Sequence, residues 1–154
     1  MFATDKNYPS PATVVVNHAR IDSDPAAVFE CLANVENEQE WNDKLLELRP
    51  VTGGPLHAGS QFKARFPWPV GESLITYDDV DEPYGWRTHS TARRLHVQLV
   101  GSITDNAGCS EVTLTTALRP RGLLRLLRPV LARTMKASWD SHLLTIKSNL
   151  ETRS

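Results

Sequence analysis

Leu95-His96-Val97-Gln98-Leu99 and, one turn later, Glu111-Val112-Thr113-Leu114-Thr115-Thr116-Ala117-Leu118 are the residues from which the fold can be read. Leu95, Val97 and Leu99 alternate with polar His96 and Gln98, and Val112, Leu114, Thr116 and Leu118 continue the pattern after polar Glu111 and Thr113. Successive residues of a strand point to opposite faces, so this period of two describes strands with one dry face and one wet face. Between the runs lies Asp105-Asn106-Ala107-Gly108, and a connection that short joins antiparallel neighbours.

The same texture extends over residues 45–120. Segments Leu45–Val51, Ser60–Pro67, Glu72–Val80, Trp86–Arg93, Leu95–Thr104 and Glu111–Leu118 read as strands. Their separators are Gly53-Gly54-Pro55, Pro67-Trp68-Pro69 and Glu82-Pro83-Tyr84-Gly85, besides the turn already quoted. Upstream, β-branched Thr13–Ile21 predicts one more strand. Ser23-Asp24-Pro25 then opens a helix, with Asp24 as cap and Pro25 at the first helical position. Val28, Phe29 and Leu32 share its apolar face, Asn34 ends it, and a second short helix runs from Val35 to Asn42. Downstream, Arg121 to Leu150 reads as a long helix that Pro129 kinks or divides near its start. At 100° per residue, Leu124, Leu127, Leu131, Met135, Ser138, His142, Ile146 and Asn149 fall on one face.

The 154 residues suit one domain, and 40% hydrophobic content excludes a disordered chain. A formal charge of −1 argues against a nucleic-acid binder, yet it hides an imbalance. Residues 1–118 carry 9 basic and 16 acidic side chains (−7), and residues 119–154 carry 8 and 2 (+6). This predicts that an acidic body and a basic helix attract each other. Cys31 and Cys109 form no CxxC pair and read as small buried thiols of a reducing, cytoplasmic setting. Met1–Pro11 lacks the apolar centre of a secretory signal, so residues 1–12 are expected to be a flexible leader. Residues 13–150 form the domain and 151–154 a short tail.

Several features in this order resemble the START-like (SRPBCC) helix-grip superfamily and its bacterial polyketide cyclase/dehydrase-like and lipid-transfer branch. They are Asp24-Pro25 with Val28-Phe29, Glu40-Trp41-Asn42, Gly59 before Phe62, Asp81-Glu82-Pro83, Gly108 before Val112-Thr113-Leu114, and the terminal amphipathic helix. The resemblance implies an α+β, Bet v 1-like fold. In it a curved antiparallel sheet of about seven strands wraps a long C-terminal helix, two short helices follow strand 1, and an apolar cavity lies between sheet and helix. Composition and periodicity by themselves give an α+β domain with a one-sided sheet.

Strand parity then nominates the lining. With Leu95, Val97 and Leu99 inward, Trp86, Thr88 and Ser90 share one face, as do Phe62, Ala64 and Phe66, while Lys63, Arg65, Arg87 and His89 take the opposite one. The expected ligand contacts are Trp41, Phe62, Phe66, Leu74, Trp86, Thr88, Ser90, Leu99, Leu114, Thr116, Leu131, Met135 and His142. The competing reading of each is plain core. His142, on the apolar side of the last helix, is the sharpest candidate for a polar contact or for acid–base work. Asp78 and Asp79 are candidate bases if either points inward, a parity that Leu74, Ile75 and Tyr77 do not settle. Glu36, Glu38 and Glu40 read as an exposed helix face. Trp68 reads as a hairpin tip, and Trp139 as core.

The sequence contains no GxGxxG, P-loop, HExxH, GxSxG or spaced histidine pair. No cofactor or metal is expected. The reading is a binding or carrier protein, monomeric or homodimeric, for a hydrophobic small molecule such as a lipid, isoprenoid or polyketide. His142, Thr88, Ser90 and Thr116 would orient that molecule. The alternatives are a cyclase or dehydratase using His142 or an inward aspartate, and a membrane- or protein-interaction module. The third rests on Trp68 and on Arg119, Arg121, Arg125, Arg128, Arg133 and Lys136 around Leu123-Leu124, Leu126-Leu127 and Val130-Leu131, a pattern that suits peripheral membrane contact and that a helix burying its leucines and solvating its arginines produces equally.

Overall fold

In the computed structural model, residues 12–152 are described; the expected leader apart from Ala12, and the last two residues, lie outside them. The strands are β1 (Thr13–Ile21), β2 (Glu47–Pro50), β3 (Gln61–Arg65), β4 (Glu72–Asp81), β5 (Gly85–Ala92), β6 (Leu95–Asn106) and β7 (Cys109–Pro120). They form one antiparallel sheet in the order β1-β7-β6-β5-β4-β3-β2. Helix α1 (Pro25–Leu32) and a 3-10 turn (Val35–Glu40) follow β1. The C-terminal segment is a 3-10 turn (Gly122–Leu127) and then helix α2 (Arg128–Thr152).

Local chemistry fixes these elements. The Asp24 carboxylate accepts from the Ala27 backbone N–H at 2.8 Å, and Pro25 opens α1. Asn34 caps the following turn by accepting from the Glu36 N–H at 3.1 Å. The β6–β7 hairpin closes on Ala107 and Gly108, both at positive φ (54° and 90°). Two left-handed residues in a two-residue loop match the right-handed twist of the flanking strands. Pro129 occupies the second position of α2, where its missing donor costs nothing, so the expected kink is a division between 3-10 turn and α-helix. The helix itself continues to Thr152.

Cross-strand register lays the inner face out in rows. One row reads Trp86, Gly101, Leu114, Asn17 across β5, β6, β7 and β1. The next reads Tyr77, Thr88, Leu99, Thr116, Val15, and the one after it Ile75, Ser90, Val97, Leu118, Thr13. The first row is filled solid. Phe29 of α1 meets Trp86 edge-on at 5.7 Å between centroids, and a Cβ at Gly101 would sit 2.3 Å from the Trp86 ring. Only glycine lets that indole lie against β6.

Helix α2 is fastened along β1. Asn17 Nδ2 donates to the Lys136 carbonyl (3.0 Å) and to Asp140 Oδ1 (2.7 Å), and Lys136 Nζ donates to the Val16 carbonyl (2.6 Å). Lys147 Nζ donates to the Arg20 carbonyl (2.8 Å), and the Asp22 N–H donates to Glu151 (3.0 Å). The expectation that acidic body and basic helix attract each other is thus met differently. Among the described residues, Lys136 and Lys147 bind strand carbonyls, and the ion pairs Glu47 with Arg49 and Arg65, Asp78 with His89, and Lys147 with Glu151 are local. A strand edge offers carbonyls that need partners, and a lysine on an adjoining helix reaches them with its long stem.

Candidate functional site

Over the second and third rows a cavity of about 430 Å³ remains. Its floor is Ile75, Tyr77, Trp86, Thr88, Ser90, Leu95, Val97, Leu99, Thr116 and Leu118 of the sheet. Its roof is one face of α2, namely Leu131, Thr134, Met135, Ser138, Trp139 and His142. Leu32, Ala33, Val35, Glu38, Asn42 and Lys44 close one side, and the β3–β4 hairpin from Phe66 to Val70 the other.

Most of this wall is apolar, so its polar groups stand out. The Thr116 hydroxyl, on a residue 1% exposed, lacks a hydrogen-bond partner among the described residues. A buried hydroxyl left unpaired costs about 1–3 kcal/mol, which makes it a natural seat for a ligand acceptor or donor. Tyr77, by contrast, is committed. Its hydroxyl donates to the Ala33 carbonyl (2.6 Å) and accepts from the Val35 N–H (3.0 Å), and burial pushes its pKa up.

Glu38 is the feature that sequence reading missed. The stretch Val35–Glu40 is a 3-10 turn, in which residues three apart eclipse. Val35 is buried, so Glu38 follows it inward and lines the cavity, whereas Glu36 and Glu40 stay on the outer side as expected. Burial raises the Glu38 pKa from 4.5 to about 7, against a smaller opposing effect from its hydrogen bond with the Asn42 side chain. Counting three from Val35, instead of alternating along the glutamates, is the signal that would have found it.

His142 faces the cavity from α2, half-buried between indoles, with ring centroids 5.2 Å from Trp41 and 5.7 Å from Trp139. Burial and then the Lys44 charge lower its pKa, while Asp43 and a hydrogen bond with the Trp41 backbone act the other way. At neutral pH the imidazole is mainly uncharged, and the Glu38 carboxyl is divided between its two forms. Lys44 Nζ, at the rim, donates to Ser138 Oγ at 3.2 Å.

The remaining expected positions separate cleanly. Phe66, Trp86, Thr88, Ser90, Leu99, Thr116, Leu131, Met135 and His142 line the cavity together. Phe62 and Leu114 lie in the packed core, Phe62 against Tyr77 at 6.1 Å. Trp41 is buried with Nε1 donating to the Cys31 carbonyl (2.9 Å), and it borders an open surface groove beside the cavity instead of the cavity itself. Leu74 belongs to the outer face, since Ser73, Ile75 and Tyr77 of the same strand point inward. Asp78 and Asp79 are corrected in the same way. Both are exposed, Asp78 meets His89 at 2.8 Å, and the register shifts between Tyr77 and Asp79. An exposed carboxylate outside the cavity cannot serve as a base within it. Leu127, expected on the inner side of the last helix, is 45% exposed because it ends a 3-10 turn, and Trp139 lines the cavity as well as packing on the core. Cys31 is buried, Cys109 half-buried, and the two are not joined in a disulfide.

Comparison with known proteins gives a consistent result. A family model described as polyketide cyclase / dehydrase and lipid transport matches residues 12–151. Among curated proteins none matches the sequence. A solved structure from Thermus thermophilus is similar, with a TM-score of 0.74 and 15% identity, over 92% of this chain and 99% of that one. The Zhui aromatase/cyclase of a Streptomyces species superposes with a TM-score of 0.75 at 14% identity, over 92% and 95% of the two chains. Ara h 8.0201 does so with a TM-score of 0.65 at 12% identity, over 89% and 99%. At these identities the likeness establishes the helix-grip fold and leaves the chemistry to the cavity. Among the described residues no helix is long and apolar enough to cross a membrane.

Proposed function

Because the chain belongs to the polyketide cyclase / dehydrase and lipid transport family, we propose that it binds a neutral, largely apolar small molecule of the lipid, isoprenoid or polyketide kind, in the cavity between sheet and α2. The observation that carries this reading is the unpartnered Thr116 hydroxyl on the floor of an apolar space of about 430 Å³. That volume falls within the usual range for small-molecule sites, roughly 300–1,000 Å³. Apolar burial drives association, and a few polar groups set orientation: Thr116, Thr88 and Ser90 on the floor, Glu38 with Asn42 and His142 at one side. Burial disfavours the charged forms of both Glu38 and His142, which suits a ligand bearing hydroxyl or carbonyl groups over one bearing a charge.

Native mass spectrometry of protein purified from its own host is expected to show a co-purifying apolar molecule. Titration with Nile red gives a second readout. Ser90→Phe fills the third row, and it is expected to weaken dye binding about tenfold or more, a loss of about 1.4 kcal/mol per decade, while the fold persists by circular dichroism. Unchanged dye affinity in a folded Ser90→Phe protein would place binding elsewhere.

A second reading is favoured by Glu38. A carboxyl with a pKa near 7, sharing an apolar cavity with a half-buried imidazole, is suited to proton transfer in a cyclisation or dehydration. Glu38→Gln separates the two readings. Under the carrier reading it leaves the occupant in place and changes affinity modestly. Under the enzyme reading it traps an unreacted chain in the cavity, visible as a change in the mass of the bound species.

A further inference from the structure

The 3-10 turn that precedes α2 exposes apolar surface of a particular kind. With three residues per turn, Leu123 and Leu126 share a face, and they are 85% and 79% exposed. Leu124, one position on, is buried among Val15, Leu95 and Leu118 and roots the turn in the core. Val130 continues the exposed apolar surface at 56%. Trp68 at the tip of the β3–β4 hairpin is 79% exposed, and its neighbour Val70 packs against the same small cluster that holds Leu124. Turn and hairpin thus stand at one end of the molecule. Trp68 and Val70 also line the cavity together with Leu131 and Met135, so this end of the molecule forms one of its walls.

The stretch of chain that carries the exposed leucines is rich in basic side chains. Between Glu111 and Asp140 the chain contains no aspartate or glutamate; Arg121 and Arg125 are exposed and Arg128 half-buried, whereas Arg119 is buried against Gln98 and Lys136 is bound to the Val16 carbonyl. The Arg121 N–H donates to the Arg94 carbonyl at 2.8 Å, which brings the exposed Arg93-Arg94 turn to the same end. We infer that this end of the protein is a docking surface for an anionic lipid bilayer, with Leu123, Leu126 and Trp68 entering the interface and the arginines meeting lipid phosphates.

Two physical arguments favour a bilayer over a second copy of the chain. A two-fold dimer would set the patch against itself, bringing like-charged arginine rims together. A bilayer surface is negative and, beneath its headgroups, apolar, so it answers both parts of the patch, and tryptophan is at home at that boundary. The inference does not depend on which molecule fills the cavity. Where that molecule is a lipid, however, the patch brings the cavity wall formed by Trp68 and Val70 against its source.

Co-sedimentation with vesicles tests the idea on the full chain. Vesicles of equal parts phosphatidylcholine and phosphatidylglycerol are expected to bind about tenfold more protein than pure phosphatidylcholine, and the excess should largely vanish at ~0.5 M salt. Leu123→Ser with Leu126→Ser, and separately Arg93→Glu with Arg125→Glu, should each reduce binding about fivefold or more. These positions are exposed, so folding is retained, as thermal melting will verify. Leu144→Ser, similarly exposed (68%) on the far half of α2, is the control and should change nothing. Equal binding to neutral and anionic vesicles overturns the inference, as does a loss with Leu144→Ser as large as with the leucine pair. A dimer in sedimentation equilibrium that Leu126→Ser dissociates, without vesicle binding, assigns the patch to a second copy and equally overturns it.

Discussion

The two halves of α2 dock on the same sheet and achieve opposite things. Toward its C-terminus, Leu143, Ile146 and Leu150 are 3%, 0% and 7% exposed and join Ile21, Val28, Phe29 and Leu32 in a continuous core. Toward its N-terminus, Leu131, Met135, Ser138, Trp139 and His142 are all half-buried and look into open space. The difference arises below the helix. Beneath the C-terminal half, α1 inserts Phe29 and β5 supplies Trp86, seated over Gly101. Beneath the N-terminal half, the floor carries Thr88, Ser90 and Thr116, whose small side chains leave volume unfilled. The cavity is therefore specified by residue choice at a few sheet positions, with continuous strands running under both halves.

That contrast can be broken at its strongest point first. Ile146→Ala removes a fully buried side chain from a filled core, and chemical denaturation is expected to show a loss of about 2–5 kcal/mol. Met135→Ala, on the same helix over the cavity, should cost about 1 kcal/mol or less, because its surroundings are already partly open. Similar losses at the two positions would mean that the helix sees a uniform core.

The next effect is one of pH. The folded-state pKa of Glu38 is raised above its unfolded value, so the folded chain holds this proton more tightly. The associated stability is present in full below pH 4.5 and is lost as pH rises through about 7. A rise from 4.5 to about 7 corresponds to roughly 3 kcal/mol. Glu38→Gln should therefore stabilise the protein by up to ~3 kcal/mol at about pH 8 and by almost nothing at about pH 4, measured by urea unfolding at each pH. A pH-independent difference would show that the carboxyl is solvated.

The smallest effect concerns the floor. Thr116→Val removes the unpartnered hydroxyl at constant shape and should stabilise the empty protein by about 1 kcal/mol while weakening a ligand that bonds there. Thermal melting with and without Nile red or the native occupant separates the two contributions. Destabilisation of the empty protein would reveal a partner for the hydroxyl.

How far the sequence carried these distinctions depended on periodicity. The seven strands and the hairpin pairing of successive ones were legible because alternation and turn residues agree, and the inward parity of Trp86, Thr88 and Ser90 followed from their neighbours; the pairing of β1 with β7, joined by no turn, was not. In β4 the adjacent Leu74 and Ile75 are apolar on both faces, so parity was hidden, and the register shift after Tyr77 hid it further for Asp78 and Asp79. Glu38 and Leu127 were misplaced for one shared reason: both lie in 3-10 turns, where a repeat of three replaces the α-helical 3.6. The bonds of Asn17 to α2 join residues more than a hundred positions apart, and no local pattern announces them.

Those bonds also determine how the molecule can widen. Along β1, α2 is held by Asn17, Lys136 and Lys147, and by Glu151 accepting from Asp22, like the spine of a book. On the opposite margin the bond from Lys44 to Ser138 spans the gap at the rim. Parting Ser138 from Lys44 breaks the bond named there, whereas lifting α2 from β1 breaks every bond of that seam.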